Sequence, residues 1–69
     1  MVEVFKTNIS NLAQAKQVIK LLQQQFPLAQ ITFDLEDCDR ILRMENETIN
    51  PHQVTITLTQ LGFYCQPLD

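Results

Sequence analysis

The chain has 69 residues, of which 45% are hydrophobic and 19% are charged, and its net charge is −3. This length accommodates one small domain, and the composition excludes the disordered and membrane-spanning classes. The five basic residues do not cluster, so we expect no nucleic-acid partner and no membrane insertion: Lys6, Lys16, Lys20, Arg40 and Arg43. The N-terminus lacks a signal-peptide pattern, and we expect a single cytoplasmic domain over residues 1–69.

The first predicted elements are a strand and a helix. Residues 2–6 alternate with the period of a half-buried strand. Three side-chain oxygens able to cap a helix follow, on Asn8, Ser10 and Asn11. The next apolar residues are spaced by three and four positions, which predicts a helical stripe that ends before Pro27: Leu12, Ala15, Val18, Ile19, Leu22 and Phe26.

A pair of strands is predicted next. Ile31, Phe33 and Leu35 alternate with polar residues, which indicates a second half-buried strand. Residues 41–44 predict a third strand that returns beside it. The sequence Asp37-Cys38-Asp39 lies between the two and predicts a tight acidic hairpin.

The stretch 49–61 carries two conflicting patterns. Residues 54–59 alternate strictly and are rich in β-branched side chains, which favours a strand. A helix is favoured by Asn50 as a cap, Pro51 at the first helical position and Gly62 just beyond the end. We give the capping signals more weight and predict a helix.

A short final strand over residues 63–66, ending before Pro67, completes the order β-α-β-β-α-β. This order predicts the α+β class with a ferredoxin-like arrangement, in which a four-stranded antiparallel sheet carries two helices on one face. The turn after the first strand, the hairpin and the turn before the last strand then lie at the same end of the sheet.

Four short motifs stand at the junctions of these elements. They are the turn at Asn8-Ile9, the helix start at Leu12, the sequence Asp34-Leu35-Glu36 and the sequence Leu61-Gly62-Phe63. Together they resemble the heavy-metal-associated domain of copper chaperones and metal-transporting ATPases, over essentially the whole chain. The resemblance implies a protein partner, such as a transporter or a chaperone of related fold.

The metal motif of that family, Met-x-Cys-x-x-Cys, does not occur in this sequence. If Val18 takes the place of the family's first buried helix aliphatic, the two cysteine positions fall on Asn11 and Gln14, and the methionine position falls on Ile9. Cu(I) prefers thiolate ligands, so the resemblance implies no cofactor at the usual site. The helix start keeps backbone N–H and amide groups that we expect to be available to a polar or anionic group.

Cys38 is a candidate for a different metal site, because Asp37 and Asp39 flank it. The three side chains offer ligands for a weakly bound divalent or Cu(I) ion, whereas the simpler interpretation is a solvated acidic turn. Cys65 is expected near the same end of the sheet but at the opposite edge, too far from Cys38 to share an ion or form a disulfide.

The remaining candidate residues favour structural roles. We expect Cys65 and Met44 to pack in the interior and His52, at the start of the second helix, to lie on the surface. The sequence contains no visible nucleophile–base pair and no glycine-rich phosphate loop, and its acids cluster on one turn rather than across a cleft. We therefore predict that the protein is not an enzyme.

Three functions remain open. The first, which we favour, is an interaction module that has lost the Cu(I) site and whose surface combines the first turn with the hairpin: Asn8, Ser10, Asn11, Glu36, Asp37 and Cys38. The second is a metal-binding or metallochaperone-type protein that uses Cys38 with the adjacent acids, or one thiol from each of two chains. The third is an ACT-like regulatory ligand-binding domain, a class with the same topology that usually has a glycine at the first turn.

Overall fold

The computed structural model describes residues 1–68, which form four strands and two helices. The elements are β1 (Val2–Thr7), α1 (Leu12–Gln25), β2 (Gln30–Asp34), β3 (Ile41–Glu45), α2 (Pro51–Gln60) and β4 (Cys65–Leu68). All neighbouring strands are antiparallel, in the order β2-β3-β1-β4. The predicted ferredoxin-like α+β fold is therefore confirmed.

The core lies between one face of the sheet and the two helices. Phe5 of β1 and Leu42 of β3 are fully buried and pack in one cluster with Leu22 of α1 and Leu58 of α2. Strand side chains alternate between the two faces, so the neighbouring Lys6 points away from this cluster and is exposed. Both helices thus cover the same face of the sheet.

The helix predicted over the ambiguous stretch is confirmed as α2, with Asn50 as its cap. Its threonines adapt to the helix because each hydroxyl donates a hydrogen bond to the carbonyl oxygen four residues earlier. These bonds measure 3.0 Å for Thr55, 2.9 Å for Thr57 and 2.7 Å for Thr59. Gly62 ends the segment with φ +91°, a conformation that residues with a Cβ rarely adopt.

β2 and β3 form the predicted antiparallel hairpin, but the prediction that its turn is tight was wrong. β2 ends at Asp34 instead of including Leu35, and residues 35–40 form a six-residue loop, here called the acidic loop. Carboxylates bond its backbone: Asp34 Oδ1 accepts from Asp37 N at 3.3 Å, and Asp37 Oδ1 accepts from Asp39 N at 2.8 Å. Such local side-chain bonds compete with strand pairing, which explains the longer loop.

The burial of Leu12 and the bounds of β4 also differ from the prediction. Leu12 is 68% exposed, because it is the first residue of α1 and its side chain lies outside the core. β4 starts at Cys65, two positions later than predicted, and runs through Pro67, which pairs with Phe5. A proline is tolerated there because β4 is an edge strand, where a missing N–H on the outer side leaves no partner unsatisfied.

Candidate functional site

Three loops meet at one end of the sheet, here called the loop end. Thr7, the last residue of β1, donates its backbone N–H to the carbonyl of Asp39 at 3.1 Å and its hydroxyl to the carbonyl of Arg40 at 2.6 Å. Asn8 Oδ1 accepts a hydrogen bond from the backbone N–H of Tyr64 at 2.8 Å. The β1–α1 loop, the acidic loop and the α2–β4 loop are therefore adjacent, as expected from the order of the elements.

The β1–α1 loop is a closed helix cap. Asn11 is the N-cap of α1, and its Oδ1 accepts from the backbone N–H of Gln14 at 2.9 Å. Gln14 Oε1 in turn accepts from Ser10, both from its backbone N–H at 2.9 Å and from its Oγ at 3.1 Å. This reciprocal pattern is close to a capping box, shifted by one residue towards the N-terminus. The side chains of Asn11 and Gln14 thus form hydrogen bonds that stabilise the start of α1.

Ile9, which the resemblance aligned with the methionine of the metal motif, belongs to the core. Its side chain is fully buried, and its backbone N–H donates to Thr7 Oγ1 at 3.2 Å. The backbone N–H groups of Ile9, Ser10 and Gln14 all have side-chain partners within the loop. The expectation that these groups stand available for a polar or anionic ligand is therefore wrong for these three residues.

The acidic loop brings three possible ligand groups together. One side-chain ligand atom each from Asp37, Cys38 and Asp39 lies within 4.8 Å of the other two. Cys38 is exposed, whereas Asp39 is half-buried and its Oδ1 lies 3.5 Å from Lys6 Nζ. Part of the negative charge is therefore already neutralised from β1, and the arrangement offers at most one thiolate and two carboxylates to an ion.

Cys65 has the properties of a structural cysteine. It is buried on β4, at the sheet edge opposite to β2, and is not bonded to Cys38. Burial raises the pKa of its thiol from 9.0 to about 11, an effect that a hydrogen bond with Thr55 partly opposes. The thiolate that a metal ion requires is therefore disfavoured at neutral pH.

The two thiols are expected to react at very different rates with an aromatic disulfide reagent at pH 8. Cys38 should be modified quickly because it is exposed, whereas Cys65 should react only on unfolding, because it is buried and its pKa is raised. The measurement is the thiol count over time in native buffer and in urea. The Cys38→Ser variant is the control, and fast modification of this variant in native buffer would contradict the assignment of Cys65.

The remaining candidates occupy the predicted places. Met44 is fully buried in the core, and His52 is exposed in the first turn of α2, where Asn50 Oδ1 accepts from its backbone N–H at 3.0 Å. Because α2 runs from the opposite end of the sheet towards the loop end, His52 lies away from the acidic loop.

Sequence patterns did not predict two contacts that assemble the loop end. Asn8 was assigned only as a possible cap, yet its side chain binds Tyr64, 56 positions further along the chain. The ion pair of Lys6 with Asp39 likewise joins two elements that only the strand order brings together. The one sequence signal for this ion pair was the alternation of β1, which places Lys6 outside the core and so lets its ammonium group reach the acidic loop.

Comparison with protein-family models, with curated proteins and with solved structures found no match for this chain. Within residues 1–68, neither helix combines the length and the apolar character needed to cross a bilayer. The chain forms a small ferredoxin-like domain, and this fold is consistent with that of heavy-metal-associated domains.

Proposed function

We propose that this protein is a non-catalytic interaction module on a heavy-metal-associated-like scaffold that has lost the Cu(I) site. The observation that supports this proposal is the state of the loop after β1. Asn11 and Gln14 stand at the positions of the two cysteines and bond the helix start, while Ile9 packs in the core. Oxygen and nitrogen of neutral amides are poor ligands for a soft ion such as Cu(I).

The proposed contact surface is the loop end. Ser10, Asn11, Glu36, Asp37 and Cys38 are exposed there, and Asn8 is exposed beside them. Tyr64, 48% exposed on the adjoining loop, adds an aromatic side chain of the kind enriched in interface hot spots.

The negative charge of this surface indicates which kind of protein it would bind. The acidic loop and its flanks carry more acids than bases, and the whole chain has a net charge of −3. A complementary protein therefore presents a basic patch, which would accelerate association and favour one orientation. A transporter or chaperone domain of related fold is the partner class that the resemblance implies, and a reducing compartment such as the cytoplasm suits the two free thiols.

Titration of the reduced protein with Cu(I), in competition with a chelator and followed by backbone amide NMR shifts, tests the loss of the metal site. We expect no stoichiometric binding and no shifts confined to residues 9–14. Recovery of about one equivalent of tightly bound Cu(I), with NMR shifts centred on this loop, would overturn the proposal. The proposal rests on the expectation that a loop without thiolates does not bind Cu(I) tightly.

A second candidate function has one specific observation in its favour, the convergence of Asp37, Cys38 and Asp39 within 4.8 Å. A divalent ion or Cu(I) held there would make the protein a weak metal carrier. In that case Cys38→Ser abolishes binding in the same titration while Cys65→Ser leaves it unchanged. Equal metal binding by the wild type and by the double variant Cys38→Ser/Cys65→Ser would eliminate this function.

A further inference from the structure

The two edges of the sheet differ in their protection against pairing with another strand. Edge strands are commonly blocked by proline, lysine or a bulge. β4 carries Pro67 within the strand, whereas β2, Gln-Ile-Thr-Phe-Asp from Gln30 to Asp34, has no proline and no lysine. β2 pairs on one side only, with β3 in unbroken register. Its outer backbone groups are therefore open to a further strand.

An apolar groove runs along this open edge, between α1 and β2. It has a volume of about 500 Å³ and is lined by Leu12, Ala15, Lys16, Ile19, Ile31, Thr32, Phe33 and Leu35. Leu12 is 68% exposed, and Ile31, Phe33 and Leu35 are only half-buried. A strand added to the edge would therefore also bring apolar side chains over this groove.

We propose that the occupant is a second copy of the chain, with the two β2 strands antiparallel about a two-fold axis through Thr32. This register places Ile31 opposite Phe33 of the second copy on the helix-covered face, forming an aromatic–β-branched pair that stabilises sheets. On the other face Thr32 meets its equivalent, and Gln30 meets Asp34 of the second copy. The strand is thus complementary to itself over all five residues.

Other registers fit less well. A two-fold axis through Asp34 places two carboxylates directly opposite each other, which is destabilising. An axis through Ile31 leaves Asp34 without a strand residue opposite it. Directly opposite residues of antiparallel strands lie on the same face of the sheet, so a strand that pairs with its own copy must match residues whose numbers differ by an even amount. Registers centred between two residues would pair residues of opposite faces and are excluded.

The charges near the edge also favour the second copy. In the antiparallel register, the acidic loop of one copy follows its β2 towards the end of the other copy at which α1 finishes. Lys20 lies in that half of α1, beside Ile19, while Glu36 lies two positions beyond Asp34, the last residue of β2. Within residues 1–68, the ion pair that forms joins Lys6 and Asp39, so Lys20 is available to Glu36 of the second copy.

The proposed dimer is independent of the proposed function, because it requires neither a metal ion nor another protein.

Two measurements on the full chain test the dimer. Sedimentation velocity at high micromolar concentration is expected to give twice the 8.0 kDa chain mass, and dilution is expected to return the monomer. For the register, Thr32→Cys in a Cys38→Ser background places two thiols opposite each other across the two-fold axis. Opposite residues in antiparallel strands have Cα atoms about 4.5–5.5 Å apart, which is within the range of a disulfide.

The matched control is Gln66→Cys in the same background, an exposed position on the opposite edge strand, β4. Mild oxidation is expected to convert Thr32→Cys to a covalent dimer while Gln66→Cys stays mainly monomeric. A monomer at all concentrations, a dimer in which Thr32→Cys does not cross-link, or equal cross-linking of the two variants would each overturn the proposal.

Discussion

The double variant Asn11→Cys/Gln14→Cys is expected to bind one equivalent of Cu(I), whereas the wild-type loop is expected to bind none. The side chain of the N-cap residue already reaches the backbone of the third helical position, since Asn11 Oδ1 accepts from Gln14 N at 2.9 Å. Thiols at these positions lie at the N-terminus of α1, where the helix dipole lowers their pKa and stabilises the thiolates. The measurement is competition for Cu(I) against a chelator under reducing conditions.

The same variant should be less stable without the ion, because loss of the cap costs about 1 kcal/mol. Asn11→Ser/Gln14→Ser is the control for side-chain size, because serine is close to cysteine in shape but provides no thiol, although it still caps the helix. Tight binding by this serine control would place the ion elsewhere on the chain. Failure of the cysteine variant to bind, with its fold intact, would show that the loop lacks the geometry of heavy-metal-associated domains and would remove the support for the proposed scaffold.

Phe5→Ala is expected to cost about 3–5 kcal/mol of the free energy of unfolding, the usual effect of removing a buried aromatic ring. Phe5 is fully buried, with a solvent accessibility of 0%, and its strand β1 lies between β3 and β4. Small domains have a free energy of unfolding of about 5 kcal/mol, so this variant is expected to retain only about 0–2 kcal/mol at 25 °C. Urea denaturation followed by circular dichroism measures the change.

Val2→Ala, on the same strand but 46% exposed, is the control and should cost much less than Phe5→Ala. A loss below about 1 kcal/mol for Phe5→Ala would mean that the helices close over the vacated space, contrary to the close packing expected of the core. Equal losses for the two variants would mean that strand propensity, rather than burial, determines the effect.

In α2, the local strand propensity and the capping signals pointed to different structures. The six alternating residues 54–59, five of them β-branched, favour a strand by propensity, yet Asn50, Pro51 and Gly62 correctly indicated a helix. Capping residues satisfy backbone groups that only a helix leaves open, whereas β propensity mainly reflects packing on a sheet. The threonine hydroxyls, bonded to carbonyl groups within the helix, remove the remaining conflict.

Leu12 and Pro67 show the opposite case. The helical spacing placed Leu12 on the buried stripe, and the last strand was predicted to end before Pro67; both predictions were wrong. Whether a helix end projects past the sheet, and whether a strand lies at an edge, depends on the packing of elements far apart in sequence. Neither property has a local signal.

The sequence by itself determined the order of the elements, the two helix caps and the absence of cysteine from the loop after β1, because these depend on neighbouring residues and on local hydrogen bonds. Only the tertiary structure decided that Asn8 binds Tyr64, that Lys6 pairs with Asp39, and that β2 is left as the unprotected edge beside an apolar groove. Those features arise from the antiparallel pairing of strands separated by whole helices, which chain-local patterns do not encode.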